Sequence, residues 1–125
     1  MKNVVDSSVW LEYFLGGKLP PACLKAINDS ENLIVPAIVL YEVFKRFLTQ
    51  YNETEALQVT EQMIEGKVVE MDYYLSIFAT KCAKDWKLGM ADSFIYATTL
   101  LHEAELWTLD SDFKFFPQVK YFSKD

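Results

Sequence analysis

The sequence predicts a single α/β domain with a central parallel sheet flanked by helices on both faces. Short apolar runs alternate along the chain with longer stretches of helical periodicity, and that alternation implies parallel strands joined by helical crossovers. A length of 125 residues suits one domain and is enough to bury a core. Hydrophobic residues make up 51% and charged residues 24%, a balance that argues for a globular chain over a disordered one. No repeat, low-complexity tract or linker interrupts the pattern, so one domain is expected over 1–125.

Residues 2–6 form the first short strand. Ser7 or Ser8 caps a helix that runs to about Leu15, where Gly16 and Gly17 end it. Pro20 and Pro21 open a second short helix reaching about Asp29. Leu33, Ile34 and Val35 make a buried strand, and Pro36 takes the first turn of the next helix. That helix, 37–51, is the clearest: Ala37, Leu40, Tyr41, Phe44, Phe47, Leu48 and Tyr51 keep helical spacing and define its main apolar stripe. Asn52 starts another helix with Glu55 as its capping-box partner, and Gly66 closes it. Val68 and Val69 are a strand, and Asp72 to Trp86 is helical. Gly89 breaks the chain before a last long helix from Met90 to Ala104. Leu106 to Leu109 is a strand ending in Asp110, and Val119 to Phe122 is a final edge strand.

Charge and cysteine usage narrow the function. A net charge of −6 argues against a protein that grips nucleic acid through a broad basic surface, yet it allows an enzyme that brings divalent cations to phosphate locally. Cys23 and Cys82 stand far apart in no metal-ligand spacing; they read as small apolar side chains in a reducing cytosol, with a disulfide the weaker alternative. Met1-Lys2-Asn3 leads into only two apolar residues before Asp6, so a signal-peptide core is missing, and no run is long enough to span a bilayer. A cytoplasmic location is expected.

Four carboxylates stand where parallel sheets place their ligands. Asp6 and Asp110 each follow a strand, at the carboxyl edge of the expected sheet. Either alone is accounted for by capping the turn that follows. Glu42 lies opposite the main stripe of its helix, but Ile38, Val39 and Val43 surround it, so it is expected to be buried. A buried Glu needs a partner or a metal, and Lys45 or Arg46 offers the alternative of an ion pair. In the last helix Met90, Phe94, Ala97, Leu101 and Ala104 make one stripe. Asp92 shares the other face with Leu88, Ile95, Tyr96 and Thr99, and its place in the first turn also suits the helix dipole. Taken together, Asp6, Glu42, Asp92 and Asp110 form an all-oxygen set that suits Mg²⁺ or Mn²⁺. Without a cation they repel one another, which raises the pKa of some of them.

Val4-Val5-Asp6-Ser7-Ser8, Tyr41-Glu42-Val43-Phe44-Lys45, Met90-Ala91-Asp92-Ser93-Phe94-Ile95 and Thr108-Leu109-Asp110-Ser111-Asp112-Phe113 follow one another in an order and spacing that resembles the PIN-domain family, and within it the VapC-type toxin ribonucleases. The resemblance covers essentially the whole chain. It implies that Asp6, Glu42, Asp92 and Asp110 are the acidic metal site. Ser7 then matches the small hydroxyl residue after the first Asp, Thr108 the hydroxyl near the last motif, and Asp112 a second acid that binds metal through water. For these two the plainer reading is preferred, Ser7 as only a helix cap and Asp112 as only a solvated turn residue. The resemblance also implies endonucleolytic cleavage of RNA, a homodimer, and a cognate antitoxin that blocks the site. Chemically this is metal-assisted phosphodiester hydrolysis, with one carboxylate as general base. Lys45, Arg46 and Lys87 are candidates for guiding phosphate to an otherwise acidic surface.

His102 is the only histidine and is placed near a helix C-terminus, where a cation is favoured. Trp10, Tyr13 and Phe14, with the Phe47 and Tyr51 region, are candidates for a dimer or antitoxin interface. Two other classes compete with the nuclease. One is a PIN-like partner-binding or regulatory module without activity. The other is an Asp-based phosphatase or phosphoacceptor domain. The phosphatase lacks its expected second Asp, since Ser8 stands two residues after Asp6, and the phosphoacceptor lacks paired acids after the first strand.

Overall fold

The structure, a computed structural model, describes residues 1–124; Asp125, the last residue of the expected domain, lies outside the described residues. Five strands form one sheet: β1 (Asn3–Val5), β2 (Leu33–Pro36), β3 (Lys67–Val69), β4 (Glu105–Thr108) and β5 (Val119–Tyr121). The order is β3-β2-β1-β4-β5 and every pairing is parallel. The helices are α1 (Ser7–Phe14), α2 (Pro21–Asn28), α3 (Ala37–Gln50), α4 (Glu53–Met63), α5 (Tyr73–Trp86) and α6 (Met90–Leu101), followed by a 3₁₀ turn at Ser111–Phe113.

Every residue of β1 and β2 is buried. A strand buried on both faces needs helices on both sides, which the continuous apolar runs had implied. The edge strands β3 and β5 are more open. The core joins Val4, Val5, Ile34, Val35 and Leu106 of the sheet to Val9, Val39, Val43, Met63, Ile95 and Tyr96 of the helices. Among the described residues, no helix is long and apolar enough to cross a membrane.

Caps and glycines end the elements much as expected. The Asn52 side chain accepts from the Glu55 N–H at 2.8 Å, and that of Asp72 from the Leu75 N–H at 2.8 Å. Gly16, at φ 80°, takes the left-handed turn just beyond α1. Gly66 is fixed by crowding: a Cβ there would lie 2.8 Å from the Leu33 carbonyl oxygen. One cap differs from expectation, since Asp6 and not Ser7 or Ser8 stands at the N-cap of α1. Helix α6 stops at Leu101, short of Ala104, with His102 as its C-cap and its Nδ1 3.0 Å from the Thr98 carbonyl oxygen.

Two helices bury an arc that only partly overlaps the expected stripe, sharing Phe47 in α3 and Ala97 in α6. In α3 the buried residues are Ile38, Val39, Val43 and Phe47, whereas Tyr41, Leu48 and Tyr51 of the expected stripe are exposed. In α6 Met90 and Leu101 are exposed, and Ile95, Tyr96 and Thr99 are deeply buried. Each helix carries two apolar faces, and periodicity alone does not say which one meets the sheet. Glu42 stands at the margin of the buried face of α3, and Asp92 lies on the covered face of α6 beside Ile95, Tyr96 and Thr99.

The aromatic run expected as an interface is mostly internal. Trp10 is buried and stacks on Phe14 with centroids 5.6 Å apart, Phe14 meets the buried Phe47, and only Tyr51 at the end of this chain is exposed. Cys23 and Cys82 are free, buried thiols, and burial pushes Cys23 up to about 11.

Candidate metal centre

The strand order reverses between β1 and β4, since the chain works outward from β1 to β3 and then returns on the far side of β1. In an open parallel sheet the crevice at that switch, beyond the carboxyl ends of the strands, is where ligands bind. Asp6 leaves β1 there, and Asp110 follows β4 with only Leu109 between. The first turn of α6 delivers Asp92, the second turn of α3 delivers Glu42, and the 3₁₀ turn delivers Asp112.

Asp92, Asp110 and Asp112 each offer a carboxylate oxygen such that these atoms lie within 4.8 Å of one another. Ligands on opposite sides of a Mg²⁺ ion stand about 4.2 Å apart, given a metal–oxygen distance of about 2.1 Å. Only one pair of three ligands can stand opposite and adjacent ones lie about 3.0 Å apart, so a shared cation would draw the three carboxylates closer together; an all-carboxylate donor set fits a hard ion. Asp6 and Glu42 fall outside this trio. Asp112, for which the solvated-turn reading is preferred from sequence, stands inside it.

Asp6 is buried, and its oxygens are already engaged. Oδ1 accepts from the Ser7 N–H at 2.8 Å; Oδ2 accepts from the Ser8 hydroxyl and from the Thr108 hydroxyl, each at 2.8 Å. Both hydroxyls are used twice. Thr108 Oγ1 also accepts from the Asp110 N–H at 2.9 Å, and Ser8 Oγ from the Leu109 N–H at 3.1 Å. Asp110 Oδ1 in turn accepts from the Asp112 N–H at 2.9 Å. A chain of hydrogen bonds thus runs from the end of β1 across to the end of β4 and into the 3₁₀ turn. Asp6 and Asp110 do cap the turns that follow them, as the simpler reading held, and those caps aim the acidic edge.

Glu42 has no ion pair. Among the described residues the salt bridges are Lys120–Glu105 and Lys124–Glu12, so Lys45 and Arg46 do not neutralise it. Its Oε1 is buried and without a hydrogen-bond partner. A buried carboxylate oxygen left unpaired is costly, and it marks a place for a cation or a proton.

The electrostatics follow from burial and crowding. Asp92 is pushed up to about 6, first by burial and then by the charges of Asp6, Asp110, Glu42 and Asp112. Burial also raises Asp6, against the pull of Thr108, Ser8 and Ser7, with Asp110 adding to the rise. Burial raises Glu42, the Ser7 side chain opposing it and the charge of Asp6 reinforcing it. Asp92 thus senses the charge of each of the other four acids.

Sequence reasoning passed over Ser8 as a site residue. Its signal was a second hydroxyl directly after Ser7, two residues past a strand-end Asp. That spacing turns the hydroxyl back onto the carboxylate, whereas a phosphatase would place its second acid there. Lys87 lies at the left-handed C-cap of α5, whereas Lys45 and Arg46 line a groove that also contains Glu42.

The PIN domain family model matches residues 4–117. No curated protein sequence matches the chain. Among solved structures, a toxin–antitoxin complex from Klebsiella pneumoniae superposes with a TM-score of 0.78 at 18% identity, over 95% of this chain and 96% of the other. DNA-bound VapBC from Salmonella typhimurium gives 0.77 at 15% identity, over 100% and 99% of the two chains. VapC20 of Mycobacterium tuberculosis, a toxin that cleaves the sarcin–ricin loop, gives 0.72 at 15% identity, over 90% and 93%. At these identities the likeness is one of fold.

Proposed function

The chain belongs to the PIN-domain family, and from that premise we propose that it is a Mg²⁺-dependent endoribonuclease, the toxin of a toxin–antitoxin pair. The observation that carries this reading is the convergence of Asp92, Asp110 and Asp112 oxygens to within 4.8 Å at the switch point of the sheet, with Asp6 and Glu42 beside them. The similarity in fold to toxin–antitoxin complexes and to a toxin that cleaves the sarcin–ricin loop supports RNA as substrate and an antitoxin as partner.

On this reading Asp92, Asp110 and Asp112 hold the cation, Mg²⁺ or Mn²⁺. When bound, it supplies Lewis acidity toward the phosphoryl oxygens and charge to balance the carboxylates. Asp6 fixes the ends of β1 and β4 through Ser8 and Thr108, which sets the spacing of the trio. Glu42, with its unpartnered Oε1 and raised proton affinity, accepts the proton of the attacking water. The rival phosphatase reading is disfavoured: the first Asp is buried, accepts three hydrogen bonds, and has a serine hydroxyl where the second acid belongs. The homodimer implied by the resemblance belongs to the same proposal, and sedimentation equilibrium checks it.

The test is cleavage of mixed cellular RNA by the purified chain, with Mg²⁺, with chelator, and with Asp92→Asn. Cleavage that needs both the metal and Asp92 supports the reading. A chain that binds its antitoxin but cuts nothing under any condition is an inactive PIN module.

A further inference from the structure

A groove of about 550 Å³ leaves the acidic site along one face of α3. Ser7 and Glu42 form its inner end, and Lys45, Arg46, Thr49 and Gln50 line it outward. These α3 residues share a helix face, and from Glu42 to Gln50 they span about 12 Å at 1.5 Å per residue. The acidic end is where Glu42 carries its unpartnered oxygen. Three and four residues later the charge changes sign. Lys45 and Arg46 are exposed and take part in no ion pair among the described residues, although acids outnumber basic residues in the chain by 18 to 12. Tyr41 stands at the rim, 60% exposed, and the Lys45 ammonium lies 5.8 Å from its ring centroid.

We propose that this groove is the track for the single-stranded RNA segment adjoining the scissile phosphate, with Lys45 and Arg46 on backbone phosphates and Tyr41 stacking a base. The proposal rests on the nuclease reading above. The charge pattern fits this occupant. A strand whose reacting phosphate lies among the carboxylates must carry its next phosphates away from them, and this groove meets those phosphates with unpaired cations. Thr49 and Gln50 add neutral donors suited to sugar and phosphate oxygens. An exposed phenol beside a cation is a stacking platform that tolerates any base. The groove therefore supplies grip with little sequence preference.

The test compares the full chain with Lys45→Gln/Arg46→Gln, Tyr41→Ala and Tyr41→Phe, none of which alters the acidic set. Two readouts are needed: steady-state cleavage across a salt series, and anisotropy of a short labelled oligouridine in chelator. The double variant is expected to raise KM about tenfold, leave kcat within about twofold, and flatten the slope of log affinity on log salt by about 1.4, at about 0.7 per phosphate contact. Tyr41→Ala is expected to weaken oligouridine binding about tenfold, with Tyr41→Phe restoring it. Unchanged KM and salt slope in the double variant would overturn the proposal. So would intact RNA binding combined with loss of antitoxin binding, which assigns the groove to the protein partner. If the unsubstituted chain cuts no RNA, the nuclease reading fails while the anisotropy series still judges the groove: a salt-dependent, Lys45- and Arg46-dependent affinity upholds it, and no measurable binding sinks it.

Discussion

Replacing Asp92 with Asn should stabilise the metal-free protein at neutral pH while removing its activity. The carboxyl rises from 3.8 to about 6 on folding. A shift of about two units is worth up to about 3 kcal/mol at 1.36 kcal/mol per unit. Solvent screening at this half-buried position brings that nearer about 1.5 kcal/mol, and loss of the anion from the first turn of α6 gives back up to about 1 kcal/mol. A group whose pKa is raised in the folded state gives its full stability below its unfolded value and loses it as pH climbs through the folded one. The wild-type chain in chelator should therefore lose stability as pH rises from about 4 to about 7, relative to an Asp92→Asn chain that does not titrate there. Urea or thermal unfolding of both proteins across this range reads the effect directly. The expected outcome is a gap that opens with pH and reaches several degrees in Tm near neutrality. Added Mg²⁺ should close it by stabilising only the wild type, since a ligand at a hundred times its Kd contributes about 2.7 kcal/mol. An Asn variant that melts with or below the wild type in chelator near neutral pH would refute the account of crowded, destabilising charge.

Asp6→Asn should behave in the opposite way. It puts an amide where three donors converge on the carboxylate, so a loss of about 1–3 kcal/mol is expected in urea unfolding even without metal. Thr108→Val keeps the shape but removes the donor to Asp6 and the acceptor for the Asp110 N–H; metal affinity measured by titration calorimetry should fall about tenfold or more. Gly66→Ala should cost about 1–3 kcal/mol in thermal unfolding with metal affinity unchanged, because the new methyl meets the Leu33 carbonyl far from the acidic edge.

The sheet was legible because its strands are short apolar runs punctuated by Gly, Pro and Asp, and each expected strand is present within a residue or two. The acids were legible by their position, since a carboxylate directly after a buried strand or inside a covered helix has few structural reasons to be there. The orientation of α3 and α6 was not. Both carry two plausible apolar faces, and the choice between them depends on which neighbours arrive: α3 is flanked by α1, α4 and α6, and α6 crosses β1, β2 and β4. The partner of Glu42 was also misjudged as an option. Lys45 and Arg46 sit at the right helical spacing and line the same groove, but among the described residues neither makes an ion pair with Glu42. Ser8 and Thr108 act together although 100 positions apart in the chain, and no local pattern displays that.

The clasp of Asp6, Ser8 and Thr108 has a consequence for how the protein comes into being. β1 is synthesised well before β4 and the turn at Asp112, its neighbours on the acidic edge. A chain still growing on the ribosome holds Asp6 and Glu42 early and nothing for them to meet. Asp92 follows with α6, and Asp110 and Asp112 emerge only after β4, so the cation site is completed late, by its last two members together. Truncation anywhere before Asp110 leaves a fragment with no such site.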